Sequence, residues 1–166
     1  MVINTYKPLF SEVLEKVGKA KTKNQKIALL REQNNEALRM VIKASFDPNI
    51  EWMLPEGDVP YIKNEAPEGT EHTRLIQEAK RLYHFVKGGN NNLNQNKREM
   101  MFVQMLEGLH PNEAELLVFA KDKKLHQKYK GLSSNVVKEA FGWNEDYVIP
   151  DAVEYPQQPG LASGPG

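Results

Sequence analysis

Apolar residues recur at helical spacing through most of the chain. Leu9, Phe10, Val13, Leu14 and Val17 fall three or four positions apart, with Ser11 and Glu12 facing away. This spacing predicts a first amphipathic helix. Gly18 and the lysines after it interrupt the pattern. Thr22, with Gln25 three positions later, has the form of a capping box. The stripe Ile27, Leu30, Asn34, Leu38, Val41 and Ile42 then predicts one helix running to about Ser45. Asp47-Pro48 ends it, because proline disfavours helical geometry at the residue before it. A long helix is expected from about Thr70, with Leu75, Ile76, Ala79, Leu82, Tyr83 and Val86 inward, and Gly88-Gly89 stops it. Met100, Met101, Val103, Met105, Leu106 and Leu109 mark the next helix, which ends within Gly108 to His110. Pro111 suits a first helical position, and Glu113 and Glu115 suit the positive end of the helix that follows. After residues 121–130, Ser133 or Ser134 caps a last helix with Val136, Val137, Ala140 and Phe141 inside. No segment alternates apolar and polar residues at period two, so no sheet is expected. The fold class is all-α, a compact bundle of about six helices.

Two segments depart from this pattern. Residues 48–70 are punctuated by Pro48, Pro55, Gly57, Pro60, Pro67 and Gly69, with Trp52, Met53, Leu54 and Tyr61 between the breakers. Flexible linkers lack such aromatics, so an ordered loop draped over the core is expected. From about Tyr147 prolines and glycines dominate, and a disordered tail is expected. The organisation is one helical domain over 1–146 and a tail over 147–166, acidic first and then rich in proline and glycine.

Composition narrows the function classes. The chain has 166 residues, 40% hydrophobic and 27% charged, with no cysteine. Disulfide scaffolds, zinc fingers, iron–sulfur sites and thiol catalysis are excluded. No stretch approaches the ~20 apolar residues of a membrane span, and no apolar export segment stands near Met1. A cytoplasmic protein without membrane contact is expected.

Charge changes the picture more. The formal net charge is +0, so a globally basic nucleic-acid binder is excluded, yet the charges are segregated. Lys16, Lys19, Lys21, Lys23, Lys26 and Arg31 lie in a run with no acid, and Lys121, Lys123, Lys124, Lys128 and Lys130 are opposed only by Asp122. If both runs share a face, they form a phosphate-binding surface that gains affinity by counterion release. Tyr129 and Trp143 are the nearby aromatics for base stacking. The competing reading of each run is a solvated helix surface. Acids gather in Glu51, Glu56, Asp58, Glu65, Glu68 and Glu71, and again in Glu145, Asp146, Asp151 and Glu154. The acidic tail, with Tyr147 and Tyr155, is a candidate partner-binding peptide, or an end without a role. Trp52 and Tyr61 are the corresponding candidates in the loop.

Catalytic signatures are weak. His72, His84, His110 and His126 form no helical metal pair, and bland roles suffice: a helix position for His84, a cap for His110, solvent for His126. Gly88-Gly89 lacks the lysine and hydroxyl of a P-loop, and Ser133-Ser134 lacks a nucleophile elbow. Glu78 and Glu99 are acids on helix faces, so a carboxylate-based hydrolase or nuclease stays open as a third reading. Met100, Met101 and Met105 are core or a partner groove. The stretch from Lys80-Arg81 through Lys87-Gly88-Gly89 and Asn90 to Lys97-Arg98 is either a nucleic-acid-contacting junction or a polar turn between helices. No cofactor and no metal is expected.

Several blocks carry a family likeness: Trp52-Met53-Leu54-Pro55-Glu56-Gly57 with Pro60-Tyr61, Arg81-Leu82-Tyr83-His84-Phe85-Val86-Lys87-Gly88-Gly89, Lys97-Arg98-Glu99, Ala114-Glu115-Leu116-Leu117, Lys121-Asp122-Lys123-Lys124-Leu125 and Lys138-Glu139-Ala140-Phe141. In this order, over about 25–143, the chain resembles an uncharacterised family of small helical proteins, a domain of unknown function, from large tailed bacteriophages of the myovirus type. The resemblance implies a phage protein made during infection, in the host cytoplasm or the virion. It brings no activity and no site residues.

The function expected from these readings is non-enzymatic. The first form is an accessory protein of phage DNA metabolism or transcription, touching nucleic acid or a complex that processes it through Lys19, Lys21, Lys23, Lys26, Arg31, Lys121, Lys123, Lys124, Lys128 and Lys130. The alternative is a protein–protein adaptor, in virion assembly or against a host factor, using the Trp52/Tyr61 loop and the acidic tail.

Overall fold

The computed structural model describes residues 7–67, 70 and 72–150. Among them lie eight α-helices and one 3-10 helix: α1 (Phe10–Lys19), α2 (Lys23–Glu32), α3 (Glu36–Phe46), α4 (Leu75–Glu78), the 3-10 helix (Ala79–Phe85), α5 (Gln95–Gly108), α6 (Pro111–Lys121), α7 (Leu125–Lys128) and α8 (Ser134–Phe141). No strand forms among the described residues. Two isolated bridges, Trp52 with Val86 and Thr73 with Leu109, stitch loops to helix ends. The all-α class holds.

Several helix ends form where local chemistry puts them. The Gln25 amide donates to Thr22 Oγ1 at 3.1 Å, and the Thr22 amide donates back to Gln25 Oε1 at 3.3 Å, closing the capping box. Ser133 Oγ accepts the Val136 amide, and His110 Nδ1 accepts the Asn112 amide ahead of Pro111.

Two expected helices are not continuous. The segment from Thr22 to Ser45 breaks at residues 33–35, where Asn35 Oδ1 accepts the Leu38 amide at 2.8 Å and starts α3. The apolar stripe survives the break, because Ile27, Leu30, Leu38, Val41 and Ile42 are all buried. The helix expected from Thr70 begins only at Leu75, because the Thr73 amide is held by the Gly108 carbonyl at 2.7 Å. It then tightens into the 3-10 form, which buries Ala79, Leu82 and Phe85. These stand three apart, and in a 3-10 helix residues three apart eclipse one another. Tyr83, expected inside, is therefore turned out and 49% exposed.

α3 is the central element, packed against α4, the 3-10 helix, α6, α7 and α8, while α2 lies between α1 and α8. Leu38, Val41 and Ile42 of α3 are fully enclosed, and truncating such a side chain to alanine costs about 2–5 kcal/mol. Order continues past the expected end of the domain. Tyr147 is buried, and its ring meets Trp143 edge-on at 5.9 Å. Its carbonyl accepts from the Lys43 ammonium at 2.9 Å. Tyr155 and the rest of 151–166 lie outside the described residues.

Candidate functional site

The basic run of residues 16–31 occupies the last turn of α1, the short turn after it and most of α2. Against this turn lies the Lys130-Gly131 corner. Its approach depends on missing side chains. Gly131 has φ +101°, and a Cβ there would stand 2.9 Å from Lys26 Cε and 3.2 Å from the Gly18 carbonyl. A Cβ on Gly18 would stand 3.1 Å from the Lys130 carbonyl. Lys130 thus joins the first run. Lys16, Lys19, Lys21, Lys23 and Lys130 are exposed, and Lys26 is half-buried with its ammonium donating to the Ala20 carbonyl. Lys19 pairs with Glu15 at 3.2 Å and Lys23 with Glu139 at 3.0 Å, both in solvent, where such pairs are worth little. A shallow groove of about 530 Å³ lies between α1 and α2 here, floored by Ala20, Ala28 and Leu29 and edged by Lys16 and Lys19.

The second run divides instead of forming one face. Lys121 is 3% exposed, and its ammonium donates to the Pro55 and Gly57 carbonyls and to Asp122. Lys123 donates to the carbonyls of Ala44 in the last turn of α3, of Asp47 just past it and of Ile50 at the start of the loop. Burial pushes the Lys123 ammonium below the ordinary lysine value, against the opposing charge of Asp47. Lys124 pairs with Glu56 at 3.6 Å, and Lys128 with Glu115 at 2.9 Å. Arg31, from the first run, closes on the Glu139 and Ala140 carbonyls near the end of α8. Arg31 and Lys123 therefore satisfy the orphan carbonyls of helix C-termini, where a positive charge also suits the helix dipole. Local spacing carries no sign of this, because Lys123 and Asp47 are 76 positions apart. Tyr129 is buried, with its hydroxyl pKa raised first by burial and then by Glu15, Glu115 and Glu113. Trp143 is half-buried between Phe141 and Tyr147. The Tyr129 ring is therefore not presented for stacking.

The loop of residues 48–67 is anchored, as expected, by its aromatics. The Trp52 indole donates to the Ala44 carbonyl at 2.9 Å, and its ring meets Phe102 edge-on at 6.3 Å. Tyr61 is half-buried, with its hydroxyl pKa raised by burial and then by the charge of Glu115. Both rings mainly hold the loop down. The open surface is its neighbour, an apolar cleft of about 310 Å³ between this loop and α5.

The junction of residues 80–99 is a polar turn held from inside. Arg98 is buried, and its guanidinium donates to the His84, Asn90 and Leu93 carbonyls and to Gln95 Oε1. His84 Nδ1 lies 3.0 Å from the Asn90 amide nitrogen, and its pKa is lowered by burial and then by Arg81. Glu78 is engaged by Arg81 and Glu99 by Gln95. Among the described residues no group of three or more His, Cys, Asp or Glu is arranged to hold a metal ion. No helix among them is long and apolar enough to cross a membrane.

One buried acid escaped sequence reasoning altogether. Glu113, expected as an N-terminal charge on α6, is 1% exposed and accepts the backbone amides of both Phe10 and Leu75. Nothing in its sequence context signals this double role.

No curated protein and no solved structure matches the chain. A protein-family model does match, over residues 13–127, and this span takes in α1 from Val13 through α6, with the loop, the cleft and the inward lysines. The chain belongs to that family, described as a family of unknown function (DUF6433).

Proposed function

We propose that this protein is a non-enzymatic accessory factor of phage DNA metabolism or transcription, and that it binds nucleic acid through the α1–α2 end. The observation that carries the reading is the contact of Gly131 with Gly18 and Lys26, which adds Lys130 to the exposed Lys16, Lys19, Lys21 and Lys23, whose ion pairs lie in solvent, while Lys26 itself is spent on the Ala20 carbonyl. Cations grouped on one face release counterions from a phosphate backbone when they bind it. The reading is narrower than the charge runs implied. Lys121 and Lys123 are committed to backbone carbonyls, and Arg31, Lys124 and Lys128 have partners within the fold. With Tyr129 buried and Trp143 half-buried between Phe141 and Tyr147, the contacts are chiefly to phosphates, so binding has little base preference. The resemblance to proteins of large tailed phages supplies the setting, an infected bacterial cytoplasm.

Fluorescence anisotropy with a labelled duplex tests this. Binding is expected at about 50 mM salt, with log K falling on log salt at a slope of roughly −4 for about five phosphates neutralised. Lys16→Glu with Lys130→Glu, both on exposed side chains, is expected to weaken binding and flatten the slope. No binding at low salt, or binding indifferent to salt, overturns the reading.

A further inference from the structure

We propose that the cleft between the loop and α5 is a docking groove for a basic, apolar-faced peptide segment of a partner protein. This inference is independent of the nucleic-acid reading and uses the opposite side of the charge distribution. The loop is tied to α5 on either side of the cleft, at Gln95, whose side-chain amide donates to the Met53 carbonyl, and at Glu107, whose carboxylate accepts the Ile62 amide. Between these ties the α5 lining runs from Glu99 to Val103, about 6 Å of helix rise, which suits one turn of a helical segment or two to three extended residues. Its floor is apolar, made by Leu54, Val59, Pro60, Met100 and Val103. Met100 is 60% exposed, on the solvent side of α5 with Lys97 and Gln104, and Ile62, beyond the lining, is 77% exposed. A cleft of this volume with an apolar floor and a few polar groups has the usual form of a binding site, and an unbranched methionine adapts to varied side chains.

Charge selects the occupant. The carboxylates lining the groove are Asp58 and Glu99, the latter oriented by Gln95 at 2.8 Å. The one lining cation is Lys121, whose ammonium is spent on the Pro55 and Gly57 carbonyls and on Asp122. Lys63 and Lys97 stand outside the lining. An acidic rim on an apolar floor favours a cationic segment and opposes an acidic one. The walls are already set. Met53 donates its amide to the Phe85 carbonyl, Lys87 donates to Glu51, and Gly57 donates to the Asp122 carboxylate. Little ordering is then needed on binding.

The test is a selection of displayed random peptides on the full chain, counter-selected on Met100→Lys, with titration calorimetry of the synthesised winners. Lysine matches methionine as a helix former, and circular dichroism checks that the variant folds. Asp58→Lys, in the loop, changes the rim alone and carries the test if Met100→Lys does not fold. The expected winners are net positive, with regularly spaced apolar residues, and bind roughly ten-fold more weakly to either variant. Acidic or neutral winners, no enrichment, or affinity indifferent to Asp58→Lys overturns the proposal. So does a concentration-dependent dimer abolished by Met100→Lys, because the groove then holds a second copy of this chain.

Discussion

The Phe10 amide donates to the Glu113 carboxylate at 2.8 Å across 103 positions of sequence, and the other oxygen of that carboxylate takes the Leu75 amide at 2.8 Å. One buried side chain thereby satisfies first-turn amides of both α1 and α4 while sitting in the first turn of α6. Three helix N-termini converge on one acid, which serves their orphan donors and their positive dipole ends together.

Glu113→Gln is nearly isosteric, yet its amide group can offer only one acceptor atom. One of the two backbone amides is left facing a donor, at a cost of about 1–3 kcal/mol. The pH dependence has a definite sign. Burial raises the Glu113 pKa above the ordinary 4.5, against the lowering effect of the Leu75 and Phe10 amides and of Arg74. The folded state therefore holds the proton more tightly than the unfolded chain, and stability from this group falls as pH rises through the window above 4.5. Urea denaturation at several pH values should show the deficit of Glu113→Gln largest at or below pH 4.5 and smaller at neutral pH.

Lys123 poses two effects against each other. It sits just past α6 with φ +63°, where its amide reaches the Ala120 carbonyl and that of Lys124 reaches the Phe119 carbonyl. This is a Schellman ending, whose left-handed position favours glycine. Lys123→Gly relieves about 1–2 kcal/mol of backbone strain. It also strips the ammonium from the Ala44, Asp47 and Ile50 carbonyls, a loss of about 1–3 kcal/mol for a partly exposed charged donor. Denaturation is expected to place Lys123→Met, which keeps the strain and loses the bonds, below both the wild type and Lys123→Gly, with those two within about 2 kcal/mol of each other. If Lys123→Met is as stable as the wild type, the ammonium is not holding α3.

These residues show where sequence reasoning ends. Thr22 with Gln25, Asp47-Pro48, Pro111 and Ser133 were legible because a cap or a stop is made within a few residues. The break before Asn35 was hidden because the apolar stripe passes through it in register. The 3-10 helix does carry a signal, the three-residue spacing of Ala79, Leu82 and Phe85. The inward lysines are illegible for a deeper reason. A flexible ammonium finds its partner in three dimensions, and the carbonyls that hold Lys121 and Lys123 lie in the distant loop and at the end of α3. Only the grouping of residues 16–26 was visible in advance, because there the neighbours are local.

Arg98→Lys tests the inner support of the 80–99 turn. The guanidinium reaches four acceptors at 2.7 to 3.2 Å in a planar fork. A lysine ammonium has three donors at one point and leaves carbonyls unpaired. The expected loss is about 1–3 kcal/mol, with faster hydrogen exchange over residues 88–94 than at α3. Uniform acceleration across both segments would mean that the turn has no local support from Arg98.

Gly131→Ala separates structure from charge at the basic end. The residue must hold a φ of +101°, and the new Cβ stands 2.9 Å from Lys26 Cε. The left-handed backbone alone costs at least about 1–2 kcal/mol, and displacing Lys26 disturbs its hold on the Ala20 carbonyl. No charge is removed, and the Lys130 ammonium rides on a flexible stem. Denaturation should therefore report a clear loss of stability, while duplex affinity, measured well below the melting midpoint, changes by less than about three-fold. Lys130→Glu should do the reverse, holding stability within about 0.5 kcal/mol and lowering affinity. If Gly131→Ala abolishes duplex binding in the still-folded protein, binding depends on the fixed geometry of the Gly18–Gly131 contact and not on counterion release from a group of mobile lysines.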